Sequence, residues 1–175
     1  RRPTGEEYAH NFGGDNWLDE RTKRQAYLDR EPTVLVVGGG QAGLGIAARL
    51  GQLNVDTLVV DRHERIGDNW RKRYHSLALH NQIQVNHMPY MPFPPTWPKY
   101  IPKDMPANWF ETYAWALQLN VWTSAEFVGA TYDEAAGCWR ALVRRADGSE
   151  RTLSPRHLIF ANGVSGLPRI PSLPG

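Results

Sequence analysis

The sequence predicts an α/β fold, a parallel sheet opened by a βαβ unit with a small antiparallel β-meander added to it. Three observations carry that expectation. An apolar run, Val34–Val37, breaks into Gly38, Gly39 and Gly40 and then opens a helical stretch. A second apolar run, Thr57–Val60, ends on Asp61. Beyond residue 120, short alternating segments are separated by turn residues, the pattern of paired antiparallel strands.

The first unit is the most informative. Gly38, Gly40 and Gly43 stand at G-x-G-x-x-G spacing, with Gln41 and Ala42 between the last two. The first glycine allows a sharp turn, the second allows close approach of the main chain to a pyrophosphate, and the third lets helix and strand pack closely. Free N–H groups at the helix start then face the phosphates, aided by the helix dipole. The helix continues through Ile46–Leu50, and Asp61 follows the glycines by roughly 20 residues, where a dinucleotide site needs an acceptor for ribose hydroxyls. Its charge would repel a ribose phosphate, so the site suits FAD or NAD rather than NADP. A glycine-rich turn without a ligand is the plainer alternative. The order of strand, glycines, helix, strand and acid favours a dinucleotide.

The remaining elements follow in turn. Residues 1–31 are polar and read as a linker or packing arm, with Leu18, Ala26, Tyr27 and Leu28 able to line a short helix. Residues 62–104 read as an irregular loop whose prolines exclude a helix between Met88 and Pro98 and whose aromatics favour packing. A helix is expected after Asp104 as cap, with Pro106 in its first turn and Trp109, Phe110, Tyr113, Ala114 and Leu117 on one face. Val121–Trp122, Glu126–Tyr132, Cys138–Val143 and Glu150–Leu153 are expected to form the meander. His157–Phe160 is the last strand, running into Ala161, Asn162 and Gly163.

Composition narrows the function classes. Hydrophobic content of 41% with seven tryptophans fits a globular chain. The single cysteine, Cys138, excludes an internal disulfide framework and a C-x-x-C pair, and suits a reducing cytoplasm. A net charge of +2 with both signs interspersed argues against nucleic acid as a partner; the basic run Arg71–Arg73 reads as solvated surface or a screen for phosphates. No apolar run is long enough to span a bilayer, and the opening residues do not resemble a signal peptide. The absence of an initiator methionine suggests a piece of something longer. His75, His80 and His87 lack metal-ligand spacing, so no metal is expected. Oligomeric state is left open.

Four blocks together resemble the flavin-containing monooxygenase superfamily, nearest to its plant YUCCA-like enzymes and their bacterial relatives. They are the glycines 38–43 with Asp61; Ile66-Gly67-Asp68-Asn69-Trp70 with Arg73 and Tyr74; Leu77–His80 leading to Met91–Pro94 and Tyr100–Lys103; and Leu158–Gly163 with Pro168, Pro171 and Pro174. The resemblance implies a Rossmann-like FAD-binding βαβ within a flavoprotein of two dinucleotide-binding domains, of which residues 32–175 would be the first portion of the FAD domain. It also implies the chemistry. NADPH reduces FAD, O2 adds at the flavin C4a carbon, and the resulting peroxide gives one oxygen atom to a small-molecule substrate.

The same resemblance implies residue roles. Gly38, Gly40, Gln41, Ala42 and Gly43 would hold the pyrophosphate, and Asp61 with neighbouring Arg62 the adenosine ribose. Asn69 and Trp70 would lie along the ribityl chain or flavin edge, and the backbone of Phe127 would meet the adenine. Ala161, Asn162 and Gly163 correspond to the family's Ala-Thr-Gly turn, with Asn in place of Thr. His80 is the candidate for tuning the peroxide, with Asn81 second. Packing roles stand as alternatives for His80 and Trp70. There is no second glycine fingerprint, so the NADPH domain and the later FAD residues are expected to be absent. The readings that compete are a catalytically inert nucleotide-binding fragment, a Baeyer–Villiger monooxygenase and an NAD-dependent dehydrogenase.

Overall fold

Strand β1 (Val34–Val37) sits inside a four-stranded parallel sheet. Its partners are β2 (Thr57–Val60) and β7 (His157–Phe160), and β3 (Asn120–Trp122) lies outside β2, giving the order β3-β2-β1-β7. The computed structural model describes residues 14–164 and 171–172. The expected prolines Pro168 and Pro174, and the first 13 residues of the arm, lie outside them.

Register decides where a ligand could bind. Val37 is opposite both Val60 and Phe160, so the three strands end level. Gly38, Asp61 and Ala161 therefore leave the sheet side by side at its carboxyl edge. Main-chain bonds lock the edge: Gly38 N–H donates to Val60 O at 2.8 Å, Ala161 N–H to Val37 O at 2.8 Å, and Asp61 N–H to Trp122 O at 2.9 Å. Such an edge is where open α/β sheets take their ligands.

Helix α2 (Gln41–Gln52) covers one face of the sheet, burying Leu44, Ala47 and Ala48. Leu44 and Ala48 also meet α4 (Asp104–Ala116) in a cluster with Phe110, Tyr113 and Ala114. The segment between β2 and α4 closes that cluster. It contains a short helix α3 (Asp68–Arg71), a 3-10 turn at Ile83–Val85 and a bridge between Ala78 and Pro102. Leu79, Ile83, Met88, Phe93 and Ile101 are buried in it, and Phe93 stacks on Trp97 at 5.2 Å. The prolines keep this stretch extended while Phe93 buries and Trp97 packs against the same cluster, so it is an ordered loop. The Tyr113 hydroxyl donates to Pro89 O at 2.9 Å, and burial pushes its phenol up to about 12.

Two sequence expectations are corrected. Val121 and Trp122 belong to the parallel sheet as part of β3, not to the meander, with Leu58 opposite Asn120 and Val60 opposite Trp122. Three residues are too few to show alternation, and the apolar surface beneath α2, where Val121 and Leu119 pack, decides their partner. Asp104 is the first helical residue and not the cap. Lys103 precedes it with helical dihedrals and no side-chain cap bond, and its Nζ donates to Asp104 Oδ1 at 2.7 Å. The acid still favours the positive end of α4.

The meander is β4 (Ala125–Asp133), β5 (Cys138–Arg145) and β6 (Glu150–Leu153), all antiparallel. A register shift between Phe127 and Gly129 places an extra residue in β4, the kind of bulge that re-aims neighbouring side chains. The elements described so far all belong to one compact unit, residues 32–175, and residues 1–31 form a second. That second unit holds helix α1 (Trp17–Ala26), opened by a capping box in which Asn16 accepts from Leu18 and Asp19 N–H while Asp19 accepts from Asn16 N–H.

Candidate dinucleotide site

The turn after β1 admits only glycine at Gly38 and Gly43. Gly38 has φ +107, and a Cβ there would lie 2.5 Å from Ala161 O. A Cβ on Gly43 would lie 1.8 Å from Gly38 O, so the helix packs directly on the turn. Gly40 differs, because a Cβ there would meet only Asn69 Nδ2, at 3.3 Å. Gly40 is also the N-cap of α2, with no side-chain cap bond, and the first turn of α2 carries no acidic residue. A helix start of this kind leaves N–H donors and a partial positive charge for an anion. The cradle therefore fits a diphosphate.

Asp61 is aimed at this turn and held there. Its Oδ2 accepts from Gly39 N–H at 2.6 Å. Its Oδ1 accepts from His63 N–H at 2.8 Å and lies 2.7 Å from His63 Nδ1. The carboxylate is 13% exposed.

Asn69 reaches the turn from α3, which is clasped onto α4. Gly67 caps α3 with φ +90, and a Cβ there would lie 2.3 Å from Ala107 O. Arg71 donates to Ile66 O at 2.7 Å, Asp68 Oδ1 at 3.1 Å, Asn108 Oδ1 at 3.0 Å and Glu111 Oε2 at 3.0 Å. Arg65 adds a two-pronged contact to Glu111 at 3.1 and 2.8 Å, and Lys103 Nζ donates to Arg71 O at 3.0 Å. Burial pushes the Asp68 carboxyl up, but hydrogen bonds from Arg71 and Lys72 outweigh it and hold it below its ordinary value. The Arg65 hydrogen bond does the same for Glu111 against burial. Trp70 packs against the core cluster, and its buried Nε1 has no partner among the described residues.

The expected residues divide by place. Gly38 to Gly43, Asp61, Asn69, Ala161 and Asn162 converge at the sheet edge. Gln41 Nε2 donates to Asn86 O at 3.0 Å, tying the loop to the start of α2. Phe127 stands half-buried beside the bulge, edge-on to Phe160 at 5.5 Å, next to Ala161. Asn162 and Gly163 are exposed, Gly163 with φ +73. Arg62 is exposed. His80 and Asn81 lie on the exposed stretch between Leu79 and Ile83, outside the hydrogen-bond set around the glycine turn. Sequence reasoning gave no role to Gly39, His63 and Asn86, and read Gly67 only within the Ile66–Trp70 block. Asp61 and His63, two residues apart, gave a signal for a local carboxylate turn, whereas Gly67 needs the tertiary contact to explain it. Among the described residues no cluster of His, Cys, Asp or Glu could hold a metal ion, and no helix is long and apolar enough to cross a membrane.

Parallel strands ending level, a glycine turn and an uncapped helix define a Rossmann-like dinucleotide-binding domain. Residues 36–94 match the family model of the NAD(P)-binding Rossmann-like domain. The chain is 37% identical over 159 residues to the indole-3-pyruvate monooxygenase YUCCA1 of Oryza sativa subsp. japonica, covering 90% of this chain and 38% of that protein. Its fold resembles the flavin-containing monooxygenase from Stenotrophomonas maltophilia, with TM-score 0.63 and 23% identity over 74% of this chain and 38% of that one. It also resembles the bacillithiol disulfide reductase Bdr from Bacillus cereus, with TM-score 0.69 and 13% identity over 75% and 39%. These two structural likenesses speak for the fold alone. The chain belongs to the flavin-containing monooxygenase superfamily and corresponds to its N-terminal FAD-binding portion. It spans 38% of the length of the rice relative.

Proposed function

We propose that residues 32–175 are the FAD-binding portion of an NADPH-dependent flavin monooxygenase that inserts one oxygen atom from O2 into a small organic substrate. Residues 1–31 are then a linker arm, and the single cysteine supports a cytoplasmic setting. One observation carries the dinucleotide seat, an uncapped helix start framed by glycines with Asp61 hydrogen-bonded into the same turn, and the likeness to the rice monooxygenase supports the oxygen chemistry. When bound, FAD supplies the redox and oxygen chemistry, and the protein supplies binding, orientation and exclusion of water.

In this reading the amides of residues 40–43 bind the diphosphate, aided by the α2 dipole. The remaining acceptor capacity of Asp61 takes ribose hydroxyls, and its charge turns away a ribose phosphate. The α3 clasp onto α4 orients Asn69 toward Gly40, along the path the cofactor would take. Phe127 sits where adenine would end, Trp70 walls the cleft, and Ala161–Gly163 closes its far side. His80, with Asn81, is proposed to supply hydrogen bonds at the reacting end of the flavin, a role its exposure leaves open to a ligand.

A chain with one glycine fingerprint has a seat for one dinucleotide, so these 175 residues should bind FAD weakly and not turn over NADPH. Purified protein that takes up FAD, seen as flavin absorbance, without NADPH oxidation is the expected result. A chain protected by NAD but not by FAD would move the reading to a dehydrogenase. Rapid NADPH-driven oxygen uptake would overturn the single-seat account.

A further inference from the structure

We propose that His63 is a specificity-determining residue of the nucleotide site, acting by fixing the orientation of Asp61 so that the site takes nucleotides with a free ribose 2′-hydroxyl. The inference rests on the dinucleotide reading above and adds a residue to it.

A carboxylate at the end of a strand is free to rotate, and only one orientation serves a ribose. Asp61 is restrained from two sides. Gly39 N–H holds Oδ2 at 2.6 Å, while the His63 main-chain N–H and ring Nδ1 hold Oδ1 at 2.8 and 2.7 Å. The imidazole is itself mostly covered, its side chain 23% exposed. Main-chain anchoring completes the arrangement. His63 O accepts from Ser124 N–H at 2.8 Å, and Asp61 O accepts from Ala125 N–H at 2.9 Å, so the Asp61–His63 turn is stitched to the start of β4.

A ring that carries a proton on Nδ1 donates to the carboxylate. The carboxylate so held repels a 2′-phosphate, and its unused lone pairs accept from a hydroxyl. Without the imidazole, only main-chain donors restrain the carboxylate. Hydroxyl preference and phosphate rejection should then fall together.

The test uses the 175-residue chain and three probes: ADP, 2′-deoxy-ADP and adenosine 2′,5′-bisphosphate. The wild-type chain should prefer ADP to 2′-deoxy-ADP by about tenfold, as expected for a hydrogen bond to a charged group. His63→Leu should bring that ratio below about threefold and raise the relative affinity for the 2′-phosphorylated probe. His63→Asn, whose amide hangs from the same γ position as Nδ1, should restore most of the preference. A merely structural role would weaken all three probes in proportion and leave the ratios unchanged. Should His63→Leu fail to fold, His63→Phe keeps the ring without the donor and carries the same expectation. An unchanged ratio in the donor-free variant, or no rescue by Asn, overturns the proposal. A folded wild-type chain that binds none of the probes would overturn the dinucleotide reading instead, so the two failures are distinguishable.

Discussion

The Cβ that Gly43 lacks would lie 1.8 Å from the carbonyl oxygen of Gly38, five residues back in the turn that α2 leaves. No rotamer relieves that contact, because both atoms belong to backbone or are fixed by it. Gly43→Ala must therefore push α2 off the sheet and disturb the Leu44 and Ala48 packing that follows. We expect a loss on the order of 3–5 kcal/mol, in the range of severe overpacking or strain. Urea denaturation followed by circular dichroism measures it. A loss below about 1 kcal/mol would mean that the turn is looser than its geometry indicates.

Gly40→Ala separates fold from binding. Its φ of −83 suits any residue, and the new methyl would meet only the amide of Asn69, at 3.3 Å. The variant should unfold close to wild type yet bind FAD weaker by about tenfold or more, because the methyl occupies the path by which a diphosphate reaches the amides. Equal FAD affinity in a folded Gly40→Ala chain would count against the cradle.

Gly67→Ala should act on α3. At φ +90 a Cβ lies 2.3 Å from Ala107 O, so either the α3–α4 contact opens or the turn rearranges. A destabilisation of about 2–4 kcal/mol is expected from the combined strain and lost packing. Faster amide exchange at residues 67–72 than at β1 would localise the effect. Uniform exchange across both regions would contradict it.

Acid should loosen the same clasp. The Asp68 and Glu111 carboxyls both lie below their ordinary values, so each stabilises the fold fully above the unfolded carboxylate range of about 4. That contribution is lost as pH falls through the lower folded values. The Glu111 side chain is 40% exposed, and added salt should weaken its share. Glu111→Gln should lower the melting temperature at pH 7 and flatten its decline toward pH 3. Parallel curves for variant and wild type would show that the Arg65–Glu111–Arg71 contacts carry no pH dependence.

Much of the sheet edge was legible in the sequence because local chemistry dictates it. Glycine spacing, a buried four-residue strand and an acid after the second strand each need few neighbours to be read. Val121 and Trp122 read as meander in the sequence because a strand so short has no period, and its partner is chosen by the apolar surface beneath Leu119 and Val121. The cap of α4 shifted by one residue because Lys103 already adopts helical dihedrals. Gly67 was visible only as part of a motif, since its necessity comes from Ala107, distant in sequence. The spacing of Asp61 and His63 suits a local carboxylate turn, but the ring contact of His63 Nδ1 at 2.7 Å is visible only in the structure.

The most direct measurement is an FAD titration of the purified 175-residue chain, followed by flavin fluorescence, with Gly40→Ala and Asp61→Asn titrated in parallel. Saturable binding that ADP competes away, and that both substitutions weaken, is the expected outcome. A folded chain to which FAD does not bind, or binds equally with and without those substitutions, would contradict a diphosphate seat at residues 38–43.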